Sequence, residues 1–186
     1  MLVTKKKFNN NKEEFVGKIR NGAVFIYPTD TIYGIGCNAL SSKSVKKIRR
    51  IKQRAKTPFS VIAPSKRWIK EYCAITKEAK KWINKLPGKY TLILKTKRKL
   101  PKEIAPGLST IGVRIPKHWF SGIVKKLNLP IITTSANISG RRFMTSLNDL
   151  DNKIKENVDF IIYEGKKKAK PSRIIDLTEK IKIIKR

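Results

Sequence analysis

The sequence predicts an α/β domain built on a mixed sheet. Short apolar runs of the kind that form buried strands alternate with segments whose apolar residues recur at helical spacing. Several consecutive strands have no helix between them, so some neighbours must be antiparallel. The chain has 186 residues, 40% of them hydrophobic, enough for one core, and no stretch long enough to link two domains.

Residues 1–10 are basic and polar and read as a flexible N-terminal arm without the apolar stretch of a secretory signal. Phe15, Val16 and Ile19 share one face of a helix over 11–21, which Gly22 ends. Residues 23–27 form a short strand. A loop rich in hydroxyls and glycine follows over 28–36, in the position after a strand where ligand sites are common. Val45, Ile48 and Ile51 define a helix over 42–54. A strand over 59–63 lies between Pro58 and Pro64, and helices follow over 66–72 and 76–86. Pro87-Gly88 is a turn. Strands over 90–96 and 110–115 flank a loop that carries Pro101, Pro106 and Gly107. Then come a helix over 119–127 and a strand over 130–134. Ser146 to Asp149 reads as a capping box opening a helix to 156, with Asp in place of the usual Glu. A strand over 158–163, a cationic loop over 165–170 and two closing strands over 174–177 and 181–184 complete the chain.

With 44 Lys and Arg against 13 Asp and Glu, the net charge is +31. Such a field attracts polyanions. The lysines are spread over helices, loops and both termini and do not form one stripe with aromatics, so a lysine-rich composition explains the charge as well as a nucleic-acid partner does. Cys37 and Cys73 lack metal-ligand spacing and His118 is the single histidine, which rules out a His-rich metal centre and fits a reducing, cytoplasmic setting. No run reaches the roughly 18 apolar residues of a membrane span.

Familiar nucleotide motifs are absent. The Gly-Lys pairs at Gly17, Gly88 and Gly165 have Lys12, Ile83 and Phe160 where a P-loop needs glycine. Gly34-x-Gly36 is followed by Ala39 where a dinucleotide fingerprint has its third glycine. Polar residues at strand ends remain. Lys52-Gln53-Arg54 offers two cations that suit phosphate, or simply a helix C-terminus. Ser135-Ala136-Asn137 offers a hydroxyl and an amide after the apolar run 130–134, or a turn. Arg114 interrupts the run Ile111-Gly112-Val113-Arg114-Ile115, and a buried guanidinium requires an anion. That anion is a protein carboxylate or a ligand, and the scarcity of carboxylates favours a ligand.

Taken together these segments resemble the YrdC/TsaC family, the L-threonylcarbamoyladenylate synthases. The resemblance runs from about Gly22 to Arg186 and rests on Tyr27-Pro28-Thr29-Asp30-Thr31-Ile32-Tyr33-Gly34-Ile35-Gly36, Lys52-Gln53-Arg54, Pro87-Gly88 with Thr91-Leu92-Ile93-Leu94, residues 110–116, Ser135-Ala136-Asn137-Ile138-Ser139-Gly140, and Pro171-Ser172 with Ile174-Ile175-Asp176. It implies a single YrdC-like catalytic domain over 1–186, the short form without an extra C-terminal domain. The implied fold is a twisted sheet, parallel and antiparallel, flanked by helices around a large basic cleft.

The implied reaction joins L-threonine, bicarbonate or CO2 and ATP into threonylcarbamoyl-AMP and pyrophosphate. Mg2+ arrives with ATP. A downstream threonylcarbamoyl-transfer complex then modifies the adenosine beside the anticodon in tRNAs that read ANN codons. Lys52 and Arg54 are the implied catalytic cations on the triphosphate. Pro58, Thr110, Asn137, Thr145 and Arg186 match ATP contacts, and Thr31, Arg114, Ser135 and Ser172 surround threonine. Asp30 is either an aid to magnesium or a turn residue. Two positions depart from the family pattern: Ala55 stands where proline is common, and Arg173 where a small threonine is usual. A non-catalytic RNA-binding module, or a carbamoyl-transfer domain with another acceptor, are the alternatives.

Overall fold

The computed structural model describes residues 1–184. Ten strands form one sheet: β1 (Leu2–Thr4), β2 (Phe25–Tyr27), β3 (Gly34–Gly36), β4 (Ser60–Ile62), β5 (Tyr90–Lys95), β6 (Thr110–Arg114), β7 (Ile131–Ser135), β8 (Phe160–Tyr163), β9 (Arg173–Asp176) and β10 (Lys182–Ile184). Their order is β1-β8-β2-β3-β7-β4-β6-β5-β9-β10. Both pairing senses occur, as the strand sequence requires. β1/β8, β2/β8, β4/β6 and β5/β9 are parallel, and β2/β3, β3/β7, β4/β7, β5/β6 and β9/β10 antiparallel.

Seven helices flank the sheet: α1 (Lys5–Asn10), α2 (Lys12–Arg20), α3 (Ser42–Lys52), α4 (Lys66–Tyr72), α5 (Lys77–Asn84), α6 (Phe120–Leu127) and α7 (Asn152–Asn157). Local chemistry starts them. Thr4, Ser41, Ser65 and Thr76 each accept the backbone N–H three residues on, satisfying a donor the first turn leaves open. No helix among the described residues is long and apolar enough to cross a membrane.

Three local expectations differ from the structure. The N-terminal residues expected as a flexible arm form β1 and α1, because Val3 and Phe8 are fully buried and β1 adds to β8. Residues 34–36, expected as loop, form β3. A Cβ on Gly36 would lie 2.2 Å from the Ile132 carbonyl oxygen and 2.8 Å from the Tyr27 ring, so glycine is what lets β3 fit between β2 and β7. The helix expected over 146–156 divides. Ser146 and Asp149 do form a capping box, but it opens only a 3-10 turn (Leu147–Asp149), and Asp151 caps α7 separately.

Each strand alternates between the two sheet faces. One face packs Val24, Ile35, Val61, Val113 and Ile132 against α3, α4, α5 and α7. On the other, Phe25, Tyr27, Ile62, Ile131 and Phe160 lie under α1, α2 and α6. Ring contacts fill that second layer, with Phe25 stacked on Phe160 at 5.0 Å and Tyr27 on Phe120 at 4.7 Å. The register carries this second face onward along β7 from Ile131 to Thr133 and Ser135, and from Ile62 to Ser60 on β4. It continues through Gly112 and Arg114 on β6. There the side chains are small or polar. The functional site begins where the apolar pattern of this face stops.

Candidate active site

The cavity on this face is lined by Thr29, Ile32, Tyr33 and Gly34; by Arg54, Pro58, Phe59 and Ser60; by Thr91 and Arg114; by Thr133, Thr134 and Ser135; and by Pro171 and Ser172. Five residues expected from sequence, Arg54, Pro58, Arg114, Ser135 and Ser172, therefore share one wall-to-wall space.

Thr29 organises the loop after β2. Its hydroxyl donates to Ile32 O at 2.7 Å and accepts from Thr31 N at 3.1 Å, a side-chain-closed turn. The turn aims Asp30 at Arg114, whose Nη2 donates to Asp30 Oδ1 at 2.7 Å and to Thr31 Oγ1 at 3.4 Å. Asp30 Oδ2 accepts Lys117 N at 2.9 Å. The anion that Arg114 requires is thus partly supplied by the protein, with Asp30 Oδ1 on the guanidinium and Oδ2 on the Lys117 backbone. The pair is deeply buried; burial lowers the Arg114 pKa, and the nearby Asp30 carboxylate opposes that shift. Arg114 Nε has no partner, and among the described residues it is the one buried side-chain nitrogen or oxygen in that state. A buried charged donor left unpaired is costly, and in native structures such a group calls for a reason.

The two motifs singled out in the sequence touch directly. Gln53, at φ 51° and ψ 47°, ends α3 in the left-handed region. Lys52 turns beneath β7, and its Nζ donates to Ser135 O at 2.6 Å, Asn137 O at 2.5 Å and Asn137 Oδ1 at 3.4 Å. Lys52 is only 1% exposed. It was expected as a point charge on the triphosphate; in the structure it clamps the Ser135–Asn137 turn, because those buried carbonyls need a donor. Asn137 is likewise turned onto backbone, with Nδ2 donating to Ile138 O and Arg141 O. Arg54 reaches the cavity, held by Pro58 O at 2.7 Å, Thr57 O at 3.2 Å and Thr134 Oγ1 at 3.2 Å.

Burial, and then the charge of Arg54, bring the Lys52 ammonium down to about 7. An unfolded lysine stays protonated to about 10.4. Between those values the unfolded chain binds more protons, so this group makes stability rise with pH from about 7 upward. Urea midpoints measured from pH 7 to 10 will rise for wild type relative to Lys52→Met. A flat or falling difference would contradict the lowered Lys52 pKa.

The cationic loop expected over 165–170 straps the cavity. Lys167 N donates to Thr145 O at 2.9 Å, Lys167 Nζ to Thr29 O at 3.0 Å and to Glu164, and Tyr33 OH to Gly165 O at 2.6 Å. The strap delivers Ser172, whose hydroxyl lies 2.8 Å from that of Thr91. Past Ser172 a groove continues between Tyr90, Phe143, Lys170 and Arg173.

Other expected residues lie off the cavity wall. Thr31 stands behind Arg114. The Thr145 hydroxyl donates to Asp149 Oδ2 at 2.6 Å. Burial raises the Asp149 carboxyl, but hydrogen bonds from Thr145 and Ser146 outweigh it and pull it down to about 2. Thr110 starts β6 on the face that carries Arg114, about 13 Å along the strand, in a neighbouring hollow with Lys97 and Lys99. Arg186 lies outside the described residues. Sequence reasoning did not single out Ser60, Thr91 and Thr133; the signal was there as polar residues within otherwise apolar strand runs.

A polar cavity in the face of a mixed sheet, with the guanidinium groups of Arg54 and Arg114 in its lining, has the chemistry to hold a small anionic ligand. The family model for Sua5, YciO and YrdC proteins, described as "Telomere recombination", matches residues 17–186, and the chain belongs to that family. It is 43% identical over 171 residues to a putative threonylcarbamoyl-AMP synthase of Methanocaldococcus jannaschii, covering 89% of this chain and 80% of that one. It is 29% identical over 173 residues to the uncharacterised YciO of Escherichia coli, covering 90% and 84%. The crystal structure of P. abyssi Sua5 complexed with L-threonine matches with a TM-score of 0.87 at 31% identity. That match covers 97% of this chain but 54% of the other, so the chain spans about half of the Pyrococcus protein.

Proposed function

We propose that this chain is an L-threonylcarbamoyladenylate synthase. The observation that carries the reading is the unpaired Nε of Arg114, buried in the wall of a cavity lined by hydroxyls, in a fold shared with a threonine-bound relative. A threonine carboxylate supplies the missing acceptor, and a charge-assisted bond there is strong because water is excluded. Ser135, Thr91 and Ser172 are the hydroxyl partners within the same space for the amino acid's polar groups.

The chemistry needs alignment and charge more than a protein nucleophile. The threonine amine bonds to CO2, drawn from bicarbonate with loss of water, and releases a proton to give a carbamate. A carbamate oxygen attacks the α-phosphorus of ATP and the bond to pyrophosphate breaks. Arg54, across the cavity from Arg114, stabilises the charge that builds on the phosphates. The groove past Ser172 offers the adenosine aromatic faces at Tyr90 and Phe143 and cations at Lys170 and Arg173.

The donor set does not suit a resident metal. Among the described residues no group of three or more His, Cys, Asp or Glu stands together, and Asp30 is committed to Arg114 and Lys117. Magnesium in this reading enters with the substrate, as the counter-ion of ATP. The product is an activated acyl donor, consumed by enzymes that transfer threonylcarbamoyl to the adenosine beside the anticodon of tRNA.

The test is pyrophosphate release from ATP. Release that requires threonine and bicarbonate together supports the reading. Release without threonine, or with any amine equally, contradicts it.

A further inference from the structure

Arg49 takes no part in the cavity wall, yet the backbone on two sides of it converges on its guanidinium. Nη1 donates to the carbonyls of Arg54 at 2.9 Å, Ala55 at 2.9 Å and Thr57 at 3.2 Å. Nε donates to Glu103 O at 2.7 Å and Nη2 to Ile104 O at 3.2 Å. The group also lies over the Phe59 ring at 4.5 Å, and the Arg54 guanidinium lies over the same ring at 5.1 Å. One planar fork on helix α3 thus ties the turn that leads from Arg54 to β4, and ties that turn to the 97–108 loop.

We propose that Arg49 is a positioning residue that fixes the Arg54–Pro58 turn and, through it, the pose of Arg54 at the nucleotide phosphates. Residues 55–58 are exposed and belong to no helix or strand, so nothing in regular structure restrains them. A proline at position 55 would stiffen this turn by fixing φ, and the chain has alanine there. Ala55 gives up that restraint. Arg49 replaces it by gripping three carbonyls of the turn, including that of Ala55. A lysine cannot do the same, because its ammonium is a single point with no fixed fork. Arg54 is the residue most exposed to any slack, since two of its own bonds go to Thr57 O and Pro58 O in this same turn.

The inference rests on the proposed synthase reading. Five proteins test it: wild type, Arg49→Gln, Arg49→Lys, Arg54→Ala and the Arg49→Gln/Arg54→Ala double variant. Pyrophosphate release is measured with KM resolved for ATP and for threonine, and binding of a non-hydrolysable ATP analogue is measured by calorimetry. Arg49→Gln is expected to lower kcat/KM for ATP by about 10- to 100-fold, as a misplaced contact does, with threonine KM unchanged. In the Arg54→Ala background the same change is expected to cost little more, because residues acting as a unit do not add. Arg49→Lys, which keeps the stem and the charge, shows the same ATP defect and carries the test if Arg49→Gln does not fold. Near-normal kinetics of Arg49→Lys, or losses that multiply in the double variant, overturn the proposal. Failure of the wild type to release pyrophosphate sinks the synthase reading instead. In that case analogue binding by the same five proteins still decides Arg49, with loss of affinity on Arg49→Gln supporting it and unchanged affinity, or no binding by the wild type, overturning it.

Discussion

Arg54→Ala is expected to lower the rate of threonine- and bicarbonate-dependent pyrophosphate release by about 10²-fold or more, the usual consequence of removing one preorganised donor from developing charge. The structure gives reason for a large effect. Arg54 is a cavity-lining cation just past the end of α3, and two carbonyls and the Thr134 hydroxyl fix its guanidinium at the wall. Lys52, the other cation of the same motif, is spent on the Ser135–Asn137 backbone. Steady-state kinetics with ATP varied will show the loss in kcat and kcat/KM, while threonine affinity measured by calorimetry stays near that of wild type. Activity within a few-fold of wild type removes Arg54 from the mechanism.

Arg114→Lys is expected to raise the KM for threonine by about 10- to 100-fold, the worth of one charged hydrogen bond, with ATP KM little changed. The choice of lysine matters. Deleting the charge would leave Asp30 buried and unpaired, a loss of about 3–5 kcal/mol, and the result would report folding. Lysine retains an ammonium for Asp30 but has no second donor in the fixed geometry of the guanidinium. Threonine titrations of the folded variant will therefore separate the structural role of the Arg114–Asp30 pair from the ligand role of Nε. Unchanged threonine KM contradicts the assignment of Nε to the carboxylate.

Much of the fold was legible because local signals agreed with tertiary ones. Apolar periodicity placed α2 and α3. Arg114 was legible as a group that needs a buried anion, because a guanidinium inside an apolar strand has few explanations, and Asp30 meets it. What the sequence hid depends on distance along the chain. Asp30 lies 84 residues from Arg114, and only the folded turn at Thr29 brings them together. Lys52 read as a phosphate ligand because nothing local showed that Ser135 and Asn137, 83 and 85 residues on, would claim its ammonium. β3 was hidden for a different reason: Gly34 and Gly36 have poor strand propensity, and they form a strand by pairing with β2 and β7 where a Cβ would crowd Tyr27 and, at Gly36, the Ile132 carbonyl.

A crystal structure with L-threonine and a non-hydrolysable ATP analogue bound together measures the arrangement itself. The account predicts the amino acid's carboxylate within hydrogen-bond distance of Arg114 Nε, and the nucleotide's phosphates against Arg54 across the same hollow. Ligands seated in separate depressions, or a threonine that leaves Arg114 Nε still without an acceptor, would contradict it.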